Sequence, residues 1–273
     1  YQRPPLSKQY LAGELDVENV LLRPKSFYEG KDIDLKTGVR VTAIDRGAQT
    51  VNMDNGETLS YDQLLLATGG RPRELTIPGS DLAGIHYLRS IADVDAIRAE
   101  MDTAKNMVIV GGGYIGLEGA SVAIKAGINV TVVEMEDRIL KRVTTPTMSE
   151  FYHNLHIEHG VQIELNTSID GFSGDTKVSG VNCGDTTLDT DLVIVGIGIL
   201  PNAELAEAAG LEVDNGIIVD DHCRTSDPNI YAAGDCTNHP NPTLNRRLRL
   251  ESVPNAMEQS RIAVTNMTGG DKV

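Results

Sequence analysis

Residues 107–134, MVIVGGGYIGLEGASVAIKAGINVTVVE, place glycines at 111, 113 and 116 directly after one apolar run and a glutamate, Glu134, at the end of the next. Those residue types at that spacing suit the binding of a dinucleotide. Gly111 permits a tight turn after a strand, Gly113 lets the backbone approach a diphosphate, and Gly116 lets the following helix press on the sheet. Gly112, Tyr114 and Ile115 complete the turn, and the helix that starts there offers free N–H groups and a positive dipole end to phosphate. Glu134, about 20 residues after the third glycine, is placed to accept both ribose hydroxyls of an adenosine. With Met135, Glu136 and Asp137 behind it, it puts negative charge where a 2′-phosphate would lie, so NADH is expected over NADPH. Arg138 is the only nearby cation that would offset this. Gly196 and Gly198, following the apolar run at 192–195, would let the backbone approach the nicotinamide half.

Other residues with chemical potential are less informative. Cys183, Cys223 and Cys236 form no CxxC pair, which removes the usual dithiol redox motif and any zinc ribbon. His153, His156 and His159 are spaced by three, a spacing that drifts off one helix face, and no carboxylate cluster accompanies them. They read as part of a solvated helix, and no metal is expected. The chemistry must come from a bound cofactor.

The elements that position these residues form an α/β pattern. Residues 1–75 are rich in strand signals, including a hairpin with Asn55 and Gly56 at its turn and a buried strand in DQLLLATGG. Helical periodicity follows from Ser90 to Met101, with Ser90 and Asp93 suited to a capping box. After the central βαβ unit, with Gly127 as the helix-ending glycine, an amphipathic helix is predicted over 146–159. The stretch beginning GVQIEL reads as a β-meander returning to a parallel strand at 192–195. A second buried strand at 230–233 ends in Gly234 and Asp235, and a helix is predicted from 254 to 267. Two apolar strands ending in Ala-Thr-Gly and Ala-Gly-Asp thus flank a complete Rossmann unit, which suggests a second nucleotide site.

Composition narrows the partners. The formal net charge is −15 over 273 residues, which argues against nucleic acid and anionic membranes. No apolar stretch approaches the roughly 20 residues that span a bilayer, and YQRPPLSKQY has no secretory apolar core. A cytoplasmic protein of two domains is the expectation.

The strings YQRPPLSK at the start, LLLATGGRPR at 64–73, GGGYIGLE at 111–118, IYAAGDCT at 230–237 and RLRLESVPNA at 247–256 carry a wider resemblance. In order and spacing the chain resembles the two-dinucleotide flavoprotein reductases, in particular the FAD-dependent ferredoxin reductase branch acting on putidaredoxin, rubredoxin and dioxygenase ferredoxins. The resemblance implies two Rossmann-like domains, an NAD domain at 76–199 inserted into an FAD domain formed by 1–75 and 200–273. It places Arg3 and Lys8 near the flavin and its diphosphate, the Val41 backbone at the adenine, Thr68 and Arg89 near the FAD phosphates, Asp235 on the ribityl chain and Val253 at the pyrimidine edge of the flavin. It also implies an ion pair of Lys8 with Glu118 beside flavin N5, as the catalytic pair. The implied activity is NADH oxidation through FAD with delivery of electrons to a ferredoxin- or rubredoxin-type iron–sulfur protein. Related readings are an NADH oxidase, a coenzyme A-disulfide reductase, a nitrite reductase subunit, or a non-catalytic NAD(H)-binding redox sensor; the oxidase and disulfide branches use a redox cysteine that residues 7–27 lack. The family has a first strand and G-x-G-x-x-G turn ahead of YQRPPLSK and a further C-terminal domain. Neither lies in this sequence, so an incomplete FAD half, poor flavin retention and an intact NAD half are expected. The oligomeric state is not legible.

Overall fold

The computed structural model describes residues Tyr1–Val273. Its helices are α1 (Val17–Val20), α2 (Lys25–Glu29), α3 (Ile91–Met101), α4 (Tyr114–Lys125), α5 (Pro146–Glu158), α6 (Glu204–Ala208) and α7 (Val253–Met267). The chain forms two compact units, one of Tyr1–Ile33 with Pro72–Gly198 and the other of Asp34–Arg71 with Ile199–Val273. None of the helices is long and apolar enough to cross a membrane.

The first unit is built on a five-stranded parallel sheet in the order Ile85–Tyr87, Leu192–Val195, Asn106–Val110, Asn129–Val133, Gln162–Glu164. Its inner strands are continuous apolar runs because both faces are covered. Met107, Ile109, Val130, Val132, Leu192 and Ile194 point to one core with Val94 and Ile97 of α3 and Leu117, Ala120 and Ala123 of α4. Val108, Val110, Val133, Val193 and Val195 point the other way, onto Phe172, Val178 and Val181. Those last three belong to an antiparallel meander of Gly171–Gly174, Val178–Cys183 and Thr186–Asp189. The meander is shorter than the sequence suggested, because Gln162–Glu164 pairs in parallel with Asn129–Val133 and closes the sheet edge. The Ser90 capping box at α3 is present in full.

The chain passes from one unit to the other at Ile33/Asp34, Arg71/Pro72 and Gly198/Ile199. The amino-terminal segment departs from the expected grouping. Residues 1–33 pack in the first unit, because Leu6, Tyr10, Leu11 and Val20 are buried in the core shared with α3 and α4.

The second unit holds the parallel pair Leu64–Leu66 and Ile230–Ala232, a three-stranded antiparallel sheet of Val41–Asp45, Thr50–Met53 and Thr58–Ser60, and helices α6 and α7. Gly56, at φ +86°, supplies the left-handed turn between the second and third strands of that sheet. Its core gathers Ile44, Val51, Leu66, Ala206, Leu211, Ile217, Ile230 and Ala232. Arg46 Nε donates to Asp227 Oδ2 at 2.7 Å, which ties the first sheet to the loop before the Ile230 strand.

Candidate functional site

The glycine turn sits where the strand Asn106–Val110 passes into α4. Gly111, at φ +106°, has a conformation closed to most side chains, and a Cβ there would lie 2.6 Å from the Gly196 carbonyl oxygen. A Cβ on Gly116 would fall on the Gly111 carbonyl and within 3.0 Å of Ile109, so the helix can approach the strand only without one. Gly113 differs. It caps α4 with no side-chain bond to the first turn, and a Cβ there would meet nothing nearer than the Gly196 oxygen at 3.9 Å. The leading N–H groups of α4 lack intrahelical partners, and Tyr114 and Ile115 of that first turn are half exposed. The turn therefore fits a diphosphate. Gly196 and Gly198 lie beyond the neighbouring strand Leu192–Val195, and Gly196 N–H donates to Val110 O at 2.8 Å.

Glu134 ends the strand Asn129–Val133, and its carboxylate is already oriented. Oε2 accepts from Gly112 N–H at 2.7 Å and Oε1 from Glu136 N–H at 2.9 Å. Each oxygen keeps a further lone pair for a ribose hydroxyl. Gly112 is as constrained as its neighbours, since a Cβ would lie 2.8 Å from Ile139 and 3.1 Å from Glu134 Oε2. The loop after Glu134 is fastened to the turn: Leu140, in the left-handed region at φ +55°, donates its N–H to Gly112 O at 2.9 Å. Arg138, the expected counter-cation, is held elsewhere, on Thr144 O, Lys141 O and Ser149 Oγ. Lys141 reaches Glu136 at 2.6 Å and Asp137 at 3.2 Å, contacts that push its ammonium pKa up.

Lys8 Nζ lies 2.7 Å from Glu118 Oε2, so the structure brings this pair together. Ser7, buried and without any signal in the sequence, donates to the same oxygen at 2.5 Å. The pair forms because Leu6 and Leu11 anchor the amino-terminal turn in the core under α4. Arg3 and Arg89 also meet: Arg3 Nη1 donates to Arg89 O at 2.7 Å, and Arg89 N–H donates to Asp93.

In the second unit Thr68 and Asp235 follow the two paired strands. Thr68 Oγ1 donates to Asn202 O at 2.6 Å, and Asn202 Nδ2 donates back to Thr68 O. Val41 opens the first strand of its sheet and is exposed, as is Val253 at the first turn of α7, where Ser252 caps the helix by accepting from Asn255 N–H. Gln259, one residue that sequence reasoning missed, is buried on α7. Its Oε1 accepts from Gly234 N–H and Thr237 Oγ1, while its Nε2 has no partner. A buried donor left open beside Gly234 and Asp235 fits a polar ligand there.

Two other groups of titratable side chains have partners within the chain. His159 bonds its own helix at Leu155 O, and burial, then His159 and His153, hold the His156 pKa down. Asp220, Asp221 and His222 come close enough to share an ion, yet both ring nitrogens of His222 already face Asp221 and Asp271 carboxylates, which raise its pKa. All three cysteines are free thiols.

Comparison with known proteins is consistent with this geometry. The model of the pyridine nucleotide-disulphide oxidoreductases matches residues 1–260. Putidaredoxin reductase CamA of Pseudomonas putida is 48% identical over 94% of the chain, and rhodocoxin reductase of Rhodococcus erythropolis 44% identical over 98%. The chain spans 63% and 64% of those relatives' own lengths. The crystal structure of a covalent putidaredoxin reductase–putidaredoxin complex superposes with a TM-score of 0.95 at 46% identity, covering 99% of this chain and 67% of that one.

Proposed function

Because the chain belongs to the pyridine nucleotide-disulphide oxidoreductase family, we propose that it is the greater part of an NADH-dependent, FAD-containing reductase that passes electrons to a ferredoxin- or rubredoxin-type iron–sulfur protein. The observation that carries this reading is the joint arrangement of an open glycine turn and a pre-oriented Glu134 at the ends of adjacent parallel strands. Gly111, Gly112, Gly113, Tyr114, Ile115 and Gly116 hold the NADH diphosphate, Glu134 its adenosine ribose, and Gly196 and Gly198 leave room for the nicotinamide half. The proposed FAD set is Arg3, Lys8, Val41, Thr68, Arg89, Asp235 and Val253. The NAD domain on this reading is 76–199, with FAD held by residues of the flanking segments.

The coenzymes supply hydride transfer from nicotinamide to flavin and its onward release as electrons. The chain's own residues bind and orient. Glu118 and Ser7 fix the Lys8 ammonium, a stationary positive charge that tunes a neighbouring hydride acceptor. Orienting two reacting rings in contact is worth about 7 to 11 kcal/mol of barrier, so binding and orientation are the contribution proposed for the chain's residues. The acceptor class rests on the relatives' names and on the lack of a cysteine between residues 7 and 27. A cytoplasmic setting belongs to the same proposal and agrees with three unpaired thiols.

The test is the visible spectrum of the FAD-reconstituted protein before and after anaerobic NADH. Bleaching of the flavin bands, followed by their return on adding an oxidised ferredoxin, is the expected result. Bound flavin that NADH leaves oxidised would overturn the proposal.

A further inference from the structure

Besides Arg138, the cation nearest Glu134 in sequence, the following residues carry Lys141 and Arg142, and a 2′-phosphate placed at Glu134 would call on one of these three. Each is engaged by other groups or lies toward another part of the unit. Lys141 is paired with Glu136 and Asp137. The Arg142 guanidinium lies toward Gly198, 3.4 Å from where a Cβ on that glycine would be. Arg138, four residues from Glu134, is held inward by three acceptors: Ser149 Oγ at 2.5 Å, Lys141 O at 3.0 Å and Thr144 O at 3.1 Å. Ser149 is 2% exposed and sits in the first turn of α5, where its hydroxyl also donates to Ile139 O at 2.7 Å. One buried hydroxyl thus accepts from the guanidinium and donates to the loop backbone, and the loop is pinned in turn by Leu140 N–H on Gly112 O.

We infer that Arg138 is a latent 2′-phosphate cation and that Ser149, far from the ribose in sequence, is the positioning residue that keeps it out of use. This rests on the reading of the glycine turn as an NADH site. Preference for NADH then has two layers: Glu134 repels a 2′-phosphate, and the Arg138–Ser149 brace withholds the charge that would compensate. Replacing Glu134 alone removes the repulsion and leaves the cation locked. A lysine at 138 cannot satisfy three acceptors in the planar fork that arginine presents, so its charge becomes available, whereas methionine keeps bulk and has none.

The experiment measures NADH and NADPH dissociation constants by calorimetry, without turnover, for the wild type and for Glu134→Ala alone or combined with Ser149→Ala, Arg138→Lys or Arg138→Met, with thermal melts on each. Ser149→Ala and Arg138→Lys should each lower the NADPH-to-NADH ratio of dissociation constants about threefold or more below that of Glu134→Ala, as befits a freed charge-assisted contact. Arg138→Met should not lower it, and Glu134→Ala, Ser149→Ala, Arg138→Met should lose the gain. Equal ratios for Arg138→Lys and Arg138→Met would overturn the inference even if Ser149→Ala does not fold. A wild type that binds neither coenzyme would instead overturn the NADH-site reading.

Discussion

At Gly113 and Gly116 one residue type serves two separable purposes, and alanine distinguishes them. Gly113→Ala meets open space and an ordinary helix-cap φ of −83°, so its melting temperature should stay near wild type while NADH affinity falls on the order of a hundredfold, because the methyl stands where the diphosphate approaches. Gly116→Ala strikes the Gly111 carbonyl and should lose about 1–3 kcal/mol of stability in denaturant melts. Loss of stability at 113 with NADH affinity retained would refute the assignment. The thiols offer a second check: burial, then Asp220 and Asp221, pushes Cys223 up to about 11, so it should resist maleimide at pH 8 in the folded protein and react on unfolding. The strand–turn–helix geometry at Gly111 and Gly116 and the place of Glu134 at the end of the next strand were legible from residue type and spacing. Ser7, Ser149 and Gln259 were not, because a serine or glutamine acquires its role only from a partner over a hundred residues away, or on another turn of the fold, that no local pattern names.

Among the elements, α3 was readable to its cap because a capping box is a local bond between positions three apart. Ser90→Ala should cost about 1 kcal/mol in a denaturant melt. The edge strand Gln162–Glu164 was misread as meander, since three residues with one half-buried side chain carry no period to separate parallel from antiparallel pairing. Asp191 joins elements in a pH-dependent way. Its Oδ2 accepts from the N–H groups of Asn106 and Lys105, and those bonds hold its pKa below the ordinary carboxylate value. A depressed carboxyl adds stability that is present above its unfolded pKa of about 4 and is lost as pH falls through the lower folded value. Asp191→Asn should therefore be less stable than wild type at pH 7 and show less decline on acidification, measured by melts from pH 7 down to the acid transition.

For the molecule as a whole, order of motifs carried more than any motif alone, and it made the family legible. The packing of residues 1–33 with the unit that holds the glycine turn was not legible, because the family resemblance groups the chain by its implied ligands, whereas the burial of Leu6, Tyr10, Leu11 and Val20 follows core contacts. Each unit has its own core, so a ligand of one should protect that one first. Added NADH should slow amide exchange around 107–116 and 130–143 and leave the strand Thr50–Met53 unchanged; equal slowing in both regions would contradict a site confined to the first unit.

Two backbone amides hold the carboxylate of Glu134, the group proposed to take the adenosine ribose. The adenosine end of the coenzyme is the same whether the nicotinamide is reduced or oxidised, so on that proposal the grip of Glu134 favours reactant and product alike. Such uniform affinity speeds capture at low concentration but does nothing for the chemical step. Departure of the used coenzyme must then be triggered at the opposite end, where the two redox forms differ in charge.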